Sequence, residues 1–172
     1  FIAALIITFV GKSLPLKGAE VALGTIGIIF IYSTALMYLH VTKGVANEFF
    51  INVGNIGQFD IEFGWVVDGL SIMMYFVVGL VALLVFIYAT NYMEGEIRYT
   101  FFFTSLTLFA GSMLVLVSSP TLIQILIGWE LVGVCSYLLI GHYWEVKDNS
   151  SAAMKAFITN KIADVGLMIG II

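Results

Sequence analysis

From Asp68 to Tyr92 the chain runs for 25 residues without a charged side chain after the first. An apolar segment of about 18 residues or more is long enough to span the hydrocarbon core of a bilayer. Comparable stretches recur along the chain, and the spans read from them are 1–11 (partial), 18–41, 68–92, 99–117, 121–141 and 151–172, the last also incomplete. At about 1.5 Å of rise per residue, the full ones cover or nearly cover a core of about 30 Å. A cleavable leader would account for only one such stretch. The expectation is therefore all-α: a polytopic transmembrane helix bundle of about six spans, forming one membrane domain over 1–172 and cut through helices at both ends.

Composition narrows the function classes. Hydrophobic residues make up 61% of the chain and charged residues 10%, against roughly 25% charged in a soluble domain. The formal net charge of −4 comes from few charges on a large apolar surface and favours no basic patch, so the lipid bilayer is the expected partner and nucleic acid is set aside. Cys135 is the single cysteine; it excludes an internal disulfide and lacks the companions of a thiolate metal or iron–sulfur site. His40 and His142 each stand alone at a span boundary, without the partners of a metal site, and His142 is read as a solvated interfacial residue. No phosphate loop, cofactor motif or nucleophile–base constellation is present, so no cofactor, metal or redox chemistry is expected on this chain.

Most connections are short. The segment 42–67 is the exception, an extramembrane loop with turn residues Asn52, Gly54, Asn55 and Gly57, then "QFDIEF", whose period-two alternation predicts a strand, half of a small hairpin. Asp68 and the "DNSS" at 148–151 stand where helix N-caps are wanted. Trp65, Tyr92, Tyr99, Tyr143 and Trp144 fall near span ends as an interfacial aromatic belt would. Counted alternately, Lys12, Lys17, Arg98 and Lys147 share one side, opposite Lys43, Glu48, Asp60 and Glu62, and the excess of cations marks the inner face.

Three charges lie far from either end of their spans: Glu130, Lys161 and Asp164. A charge at mid-bilayer costs about 2.5–3.5 kcal/mol even on the lenient insertion scale, so such residues face protein or water and mark ion or proton pathways. Glu130, about nine residues into its span from one face, and Lys161, about ten into the next from the other, fall in one layer near the midplane. Asp164 follows Lys161 by three residues, which permits an intrahelical ion pair with no role in transport. Glu130 has two readings, a neutral acid hydrogen-bonded to a neighbouring helix or one member of a proton relay. Around it Gly128, Gly133 and Ser136 permit close helix approach.

The stretches "GWELVGVCSYLLIGHYW", "AAMKAFITNKIADVG" and "VDGLSIMM" resemble the amino-terminal region of the respiratory complex I family of NADH-quinone oxidoreductase subunit L, also called NADH dehydrogenase subunit 5. The likeness runs from about Asp60 to the end; before that it rests on hydropathy. It implies a larger antiporter-like fold with paired inverted repeats, and proton pumping driven by quinone reduction elsewhere in the complex. Carried over by position, Glu130 matches the glutamate of the W-E motif, while Lys161 and Asp164 match the N-[RK]-x-x-D pattern. The lysine that takes the relayed proton would lie beyond Ile172. The resemblance also implies partner subunits of the membrane arm, with NAD, FMN, iron–sulfur clusters and quinone on other subunits. The expected location is a bacterial plasma membrane, the alternatives being a mitochondrial inner membrane or a thylakoid. Leu131, where many members have glycine, is shared with the large subunit of multisubunit sodium/proton antiporters, which is the alternative reading alongside a purely structural scaffold.

Overall fold

The computed structural model describes residues 1–44, 46–56 and 59–171. In chain order it contains α1 (Ile2–Val10), a single 3-10 turn at Gly11–Ser13, α2 (Ala19–Lys43), β1 (Asn47–Ile56), β2 (Phe59–Val67), α3 (Gly69–Tyr92), α4 (Tyr99–Val117), α5 (Leu122–Ile140) and α6 (Lys147–Ile171). Helices α2, α3, α4 and α5 are long and apolar enough to cross a membrane. Of the two other spans read from sequence, α1 has nine residues. The second, α6, has the length but carries Lys155, Lys161 and Asp164 among Ser, Thr and Asn, which lowers its hydropathy.

Local chemistry sets the helix ends. At the start of α3, Ser71 N–H donates to Asp68 Oδ1 at 2.8 Å and Asp68 N–H donates to Ser71 Oγ at 2.8 Å, a reciprocal capping box. The Ser71 N–H, then its hydroxyl, hold the Asp68 carboxyl below the usual range. Thr121 caps α5 by accepting from Gln124 N–H at 3.3 Å. The "DNSS" prediction needs correction. Ser150 N–H already bonds the Val146 carbonyl at 3.1 Å, so α6 begins at Lys147 and Asp148 sits inside the first turn. There its charge favours the helix dipole instead of capping a later helix.

Consecutive helices pack as neighbours: α2 on α3, α4 on α5 and α5 on α6, with α1 against α4. The shared core holds Ile7, Ile26, Phe86, Met93, Phe103 and Ala110 among others. Tyr99, expected in the interfacial belt, belongs to this core instead: it is 7% exposed, its ring lies 4.8 Å from that of Phe103, and its hydroxyl donates to the Thr90 carbonyl at 3.4 Å. Packing against α4 brings Gly128 so close that an added Cβ would lie 3.0 Å from Leu116 Cα. Large apolar side chains such as Ile31, Leu84 and Ile169 remain exposed along the helix flanks, as lipid-facing positions require.

The strands pair antiparallel, with Phe49 opposite Trp65 and the register slipping between Asn52 and Gly54. The two rings stack at 6.5 Å between centroids. The predicted alternation falls on β2, although the side chains of its first residues, Asp60 included, lie outside the described set. The pair is clamped to the α4–α5 turn. Gly64 N–H donates to Gln124 Oε1 at 2.9 Å, Gln124 Nε2 returns a bond to the Gly64 carbonyl at 2.9 Å, and Val66 N–H donates to the Ser118 carbonyl at 3.0 Å. Only glycine fits at 64, because a Cβ there would collide with the Phe49 carbonyl oxygen.

Candidate functional site

Helices α5 and α6 run antiparallel, and residues one turn apart on each meet in successive rungs. Gly141 meets Ala153, with an added Cβ at 141 only 3.3 Å from the alanine Cβ. Next, the rings of Tyr137 and Phe157 lie 5.3 Å apart. Gly133 then faces the Asn160 side chain, 3.9 Å from where its Cβ would be, so this rung is loose where Gly128 is tight. Ser136 turns inward on its own helix, its hydroxyl donating to the Gly133 carbonyl at 2.7 Å.

The last rungs carry the charges. Lys161 Nζ pairs with Glu130 Oε2 across the helix interface and with Asp164 Oδ2 on its own helix at 3.2 Å. Its ammonium also lies 5.3 Å from the Phe157 ring centroid, a distance at which the ring face attracts a cation. Asp164 is in turn fixed by Trp129, whose Nε1–H donates to Oδ1 at 2.8 Å. The structure thus unites the three charged residues singled out from sequence. The i,i+3 pair exists, but as one arm of a lysine held between two carboxylates. Glu130 takes Lys161 as its partner among the described residues, whereas the resemblance placed its lysine beyond Ile172.

Exposure is graded across the group. The side chains of Glu130 and Lys161 are 34% and 31% exposed, while that of Asp164 is 5% exposed. The buried acid is the one with two satisfied oxygens, which is the condition for keeping a carboxylate out of water. Glu130 sits about 12 Å along α5 from its hairpin-side start, near the middle of that 19-residue helix. Chemically, one cation faces two carboxylates of unequal burial.

Sequence reading missed two members of the site. Trp129 counted only as a motif letter, yet an indole N–H on a membrane helix needs an acceptor, and the adjacent Glu130 faces α6. Phe157, one turn before Lys161, carried no polar signal at all. His142 is a correction of another kind. Expected in solvent, it is 5% exposed, with rings of Phe102 and Tyr143 at 5.4 and 4.9 Å, and its Nδ1 has no hydrogen-bond partner among the described residues. Burial pushes its imidazole pKa down, Arg98 adds to that, and Glu96 opposes it. Arg98 holds this corner together: Nη1 donates to the His142 carbonyl at 2.6 Å, Nη2 pairs with Glu145, and the guanidinium lies 5.0 Å from the Trp144 ring centroid.

Among the described residues no group of three His, Cys, Asp or Glu side chains is placed to hold a metal ion. Residues 54–103 match the family described as NADH-Ubiquinone oxidoreductase (complex I), chain 5 N-terminus, and residues 119–172 match NADH:quinone oxidoreductase/Mrp antiporter, TM. NAD(P)H-quinone oxidoreductase chain 5 of Synechocystis sp. is 44% identical over 147 residues, 86% of this chain and 22% of the relative. The chloroplastic NAD(P)H-quinone oxidoreductase subunit 5 of Anthoceros angustus is 50% identical over 116 residues, 67% of this chain and 16% of the relative. The chain therefore spans about a fifth of the length of the curated relatives it matches. Among solved structures, a chain of the membrane-bound sulfane sulfur reductase, an archaeal respiratory membrane complex, superposes with a TM-score of 0.80 over 98% of this chain and 34% of its own, at 12% identity, which is a likeness of fold. With two family matches that together cover more than half of it, and the antiporter-like helix bundle on which they fall, this integral membrane chain belongs to the complex I chain 5 family.

Proposed function

We propose that this chain is a proton-translocating part of the membrane arm of an NAD(P)H-quinone oxidoreductase, with Glu130, Lys161 and Asp164 handling the proton. The observation that carries the reading is the lysine of α6 set between two carboxylates, one of them near the middle of α5, a helix long and apolar enough to cross a membrane. A fixed scaffold gains little from such an arrangement, because apolar side chains of similar volume lock helices at least as well as a buried ion pair. Protons, not electrons, move here. NAD, FMN, iron–sulfur clusters and quinone belong on partner subunits, and quinone reduction there drives the charge changes in this chain.

The mechanism is electrostatic. While Glu130 is ionised, Lys161 keeps its proton between two anions. When Glu130 is neutralised or drawn away, the lysine loses one attraction, which at contact distances is worth about 4 kcal/mol at an effective dielectric near 20 and less where water screens it. The proton then leaves, and the return of the acid's charge recruits another. Asp164, held by Trp129, stays fixed as the constant anion. The end bearing Lys12, Lys17, Arg98 and Lys147 is the inner side. The membrane is read as a bacterial plasma membrane, with a thylakoid as the alternative that the chloroplastic relatives keep in view.

The test is Glu130→Gln in the full-length subunit within its complex, with assembly checked first. The shape and most hydrogen bonding persist while the charge is lost. Proton pumping and quinone reduction should both fall by tenfold or more in an assembled complex. Wild-type activity in both would make Glu130 a packing residue and sink the proposal.

A further inference from the structure

Where the 3-10 turn after α1 meets the start of α4, Lys12, Lys17 and Arg98 line one cavity of about 460 Å³, with Ile97, Thr100 and Phe101 among its other walls. Its volume lies within the roughly 300–1,000 Å³ of small-molecule sites. Among the described residues three cations border it and no acidic side chain does. We propose that this cavity holds the phosphodiester headgroup of an anionic membrane lipid, whose acyl chains lie along α1. None of Glu130, Lys161 and Asp164 borders it, so the inference stands apart from proton handling.

The segment that carries the two lysines is fastened to α4. Thr100 Oγ1 donates to the Lys17 carbonyl at 3.0 Å, and Gly11 lies so close that an added Cβ would stand 2.8 Å from the Thr100 methyl. Lys17 is held at φ +49°, a left-handed backbone uncommon for a residue with a Cβ, and such outliers gather at ligand sites. Unpaired charge then decides the occupant. Arg98 is already engaged, pairing with Glu145 and donating to the His142 carbonyl. Among the described residues neither Lys12 nor Lys17 makes an ion pair, and both are exposed. The cavity thus presents two uncompensated ammonium groups at the end of α4, a helix fit to cross a membrane, which is where basic pockets receive anionic headgroups. No side chain caps α4, so the positive end of its dipole adds to theirs. The apolar neighbours favour a lipid over an acidic protein segment. Ile97 at the cavity is 100% exposed, and Ile2, Leu5 and Phe9 are exposed at helical spacing on one face of α1, the last of them three residues before Lys12. A lipid supplies both an anion for the lysines and chains for that stripe; an acidic segment supplies only the first.

The probe is phosphatidylglycerol with a photoactivatable diazirine in one acyl chain near the glycerol, added in trace amount to phosphatidylcholine vesicles that contain the intact complex. After illumination, label on peptides covering 1–17 and 97–101 is quantified by mass, beside the same measurement with a diazirine phosphatidylcholine. The phosphatidylglycerol probe is expected to label these peptides far more strongly, and unlabelled phosphatidylglycerol is expected to compete it away. Each lysine beside an anionic headgroup is worth about fivefold in affinity, so Lys12→Gln combined with Lys17→Gln should lower the label about twenty-five-fold in an assembled complex. Lys147→Gln combined with Lys155→Gln removes the same charge from residues off this cavity and should leave the label unchanged. Equal labelling by the two probes, or equal loss in the two double variants, overturns the proposal. So does displacement of the probe by millimolar inorganic phosphate, which would make the cavity a site for a free anion. Absence of label in the intact complex, with a partner subunit crosslinked at 97–101 instead, overturns it in favour of a protein contact.

Discussion

Replacing Asp164 by Asn isolates the charge that the proposed mechanism holds constant. Asp164 Oδ2 lies 3.2 Å from Lys161 Nζ, a separation at which unit charges attract by about 5 kcal/mol at an effective dielectric near 20. Two features reduce the effective loss. Lys161 keeps Glu130 as a partner, and its side chain is 31% exposed, short of full burial. The expected value falls between the range for exposed pairs, at most about 1 kcal/mol, and that for buried pairs broken on one side, about 3–5 kcal/mol, so roughly 1–2 kcal/mol. That corresponds to a charge pairing about five- to thirtyfold weaker at the site. Asn keeps an oxygen for the Trp129 indole N–H, which donates at 2.8 Å, so helix packing should survive. The assay is proton uptake per quinone reduced in inverted vesicles, beside native-gel assembly. Asp164→Asn should pump five- to thirtyfold more slowly in a fully assembled complex. Trp129→Phe, which spares both acids and removes only the bond that fixes one of them, should lose less. Wild-type pumping by an assembled Asp164→Asn complex, or a larger defect in Trp129→Phe, would refute the assignment of Asp164 as the fixed anion.

Two further outcomes follow from the surroundings of the site. Gln124→Leu leaves the Gly64 N–H and carbonyl without the bonds they now make at 2.9 Å; each orphaned buried group costs about 1–3 kcal/mol, so limited proteolysis should nick the β1–β2 segment much faster while the helices persist. His142 has its pKa depressed by burial, so the unfolded state binds more protons than the folded one once the pH drops below the ordinary imidazole value of about 6.5. Stability is then full above that pH and declines as pH falls towards the lowered folded value. Hydrogen exchange at 141–146 should accelerate over that window in wild type, and His142→Phe should remove the dependence.

The helices were legible because a bilayer permits few alternatives: long apolar runs must satisfy their own backbone, and the ends of α3 and α5 announce themselves through Asp68 and Thr121. What failed was position at the margins. "DNSS" has the letters of a cap, yet a helix that nucleates at Lys147 absorbs them into its first turn. Tyr99 and His142 look interfacial in a linear count and become core residues once α4 packs beside α1 and Arg98 draws the 141–146 connection over Phe101 and Phe102. These are tertiary effects with no local signature.

The charged site was legible in its members and not in its wiring. Spacing of three residues on α6 suffices to pair Lys161 with Asp164, and on that basis exchanging the two charges would be tolerated if they served only each other. The cross-helix partner changes the consequence. An acid at 161 would stand against Glu130, and an ammonium at 164 would meet the Trp129 indole N–H, a donor facing a donor. Both errors arise from residues on α5 that no periodicity on α6 can reveal. Their cost is set by like-charge repulsion in a helix pair where the lysine is 31% exposed and Asp164 only 5%. The direction of the lysine–carboxylate array is therefore a property of the α5–α6 interface as a whole, and the burial gradient from Glu130 to Asp164 is the feature on which the proposed mechanism assigns the two acids different roles.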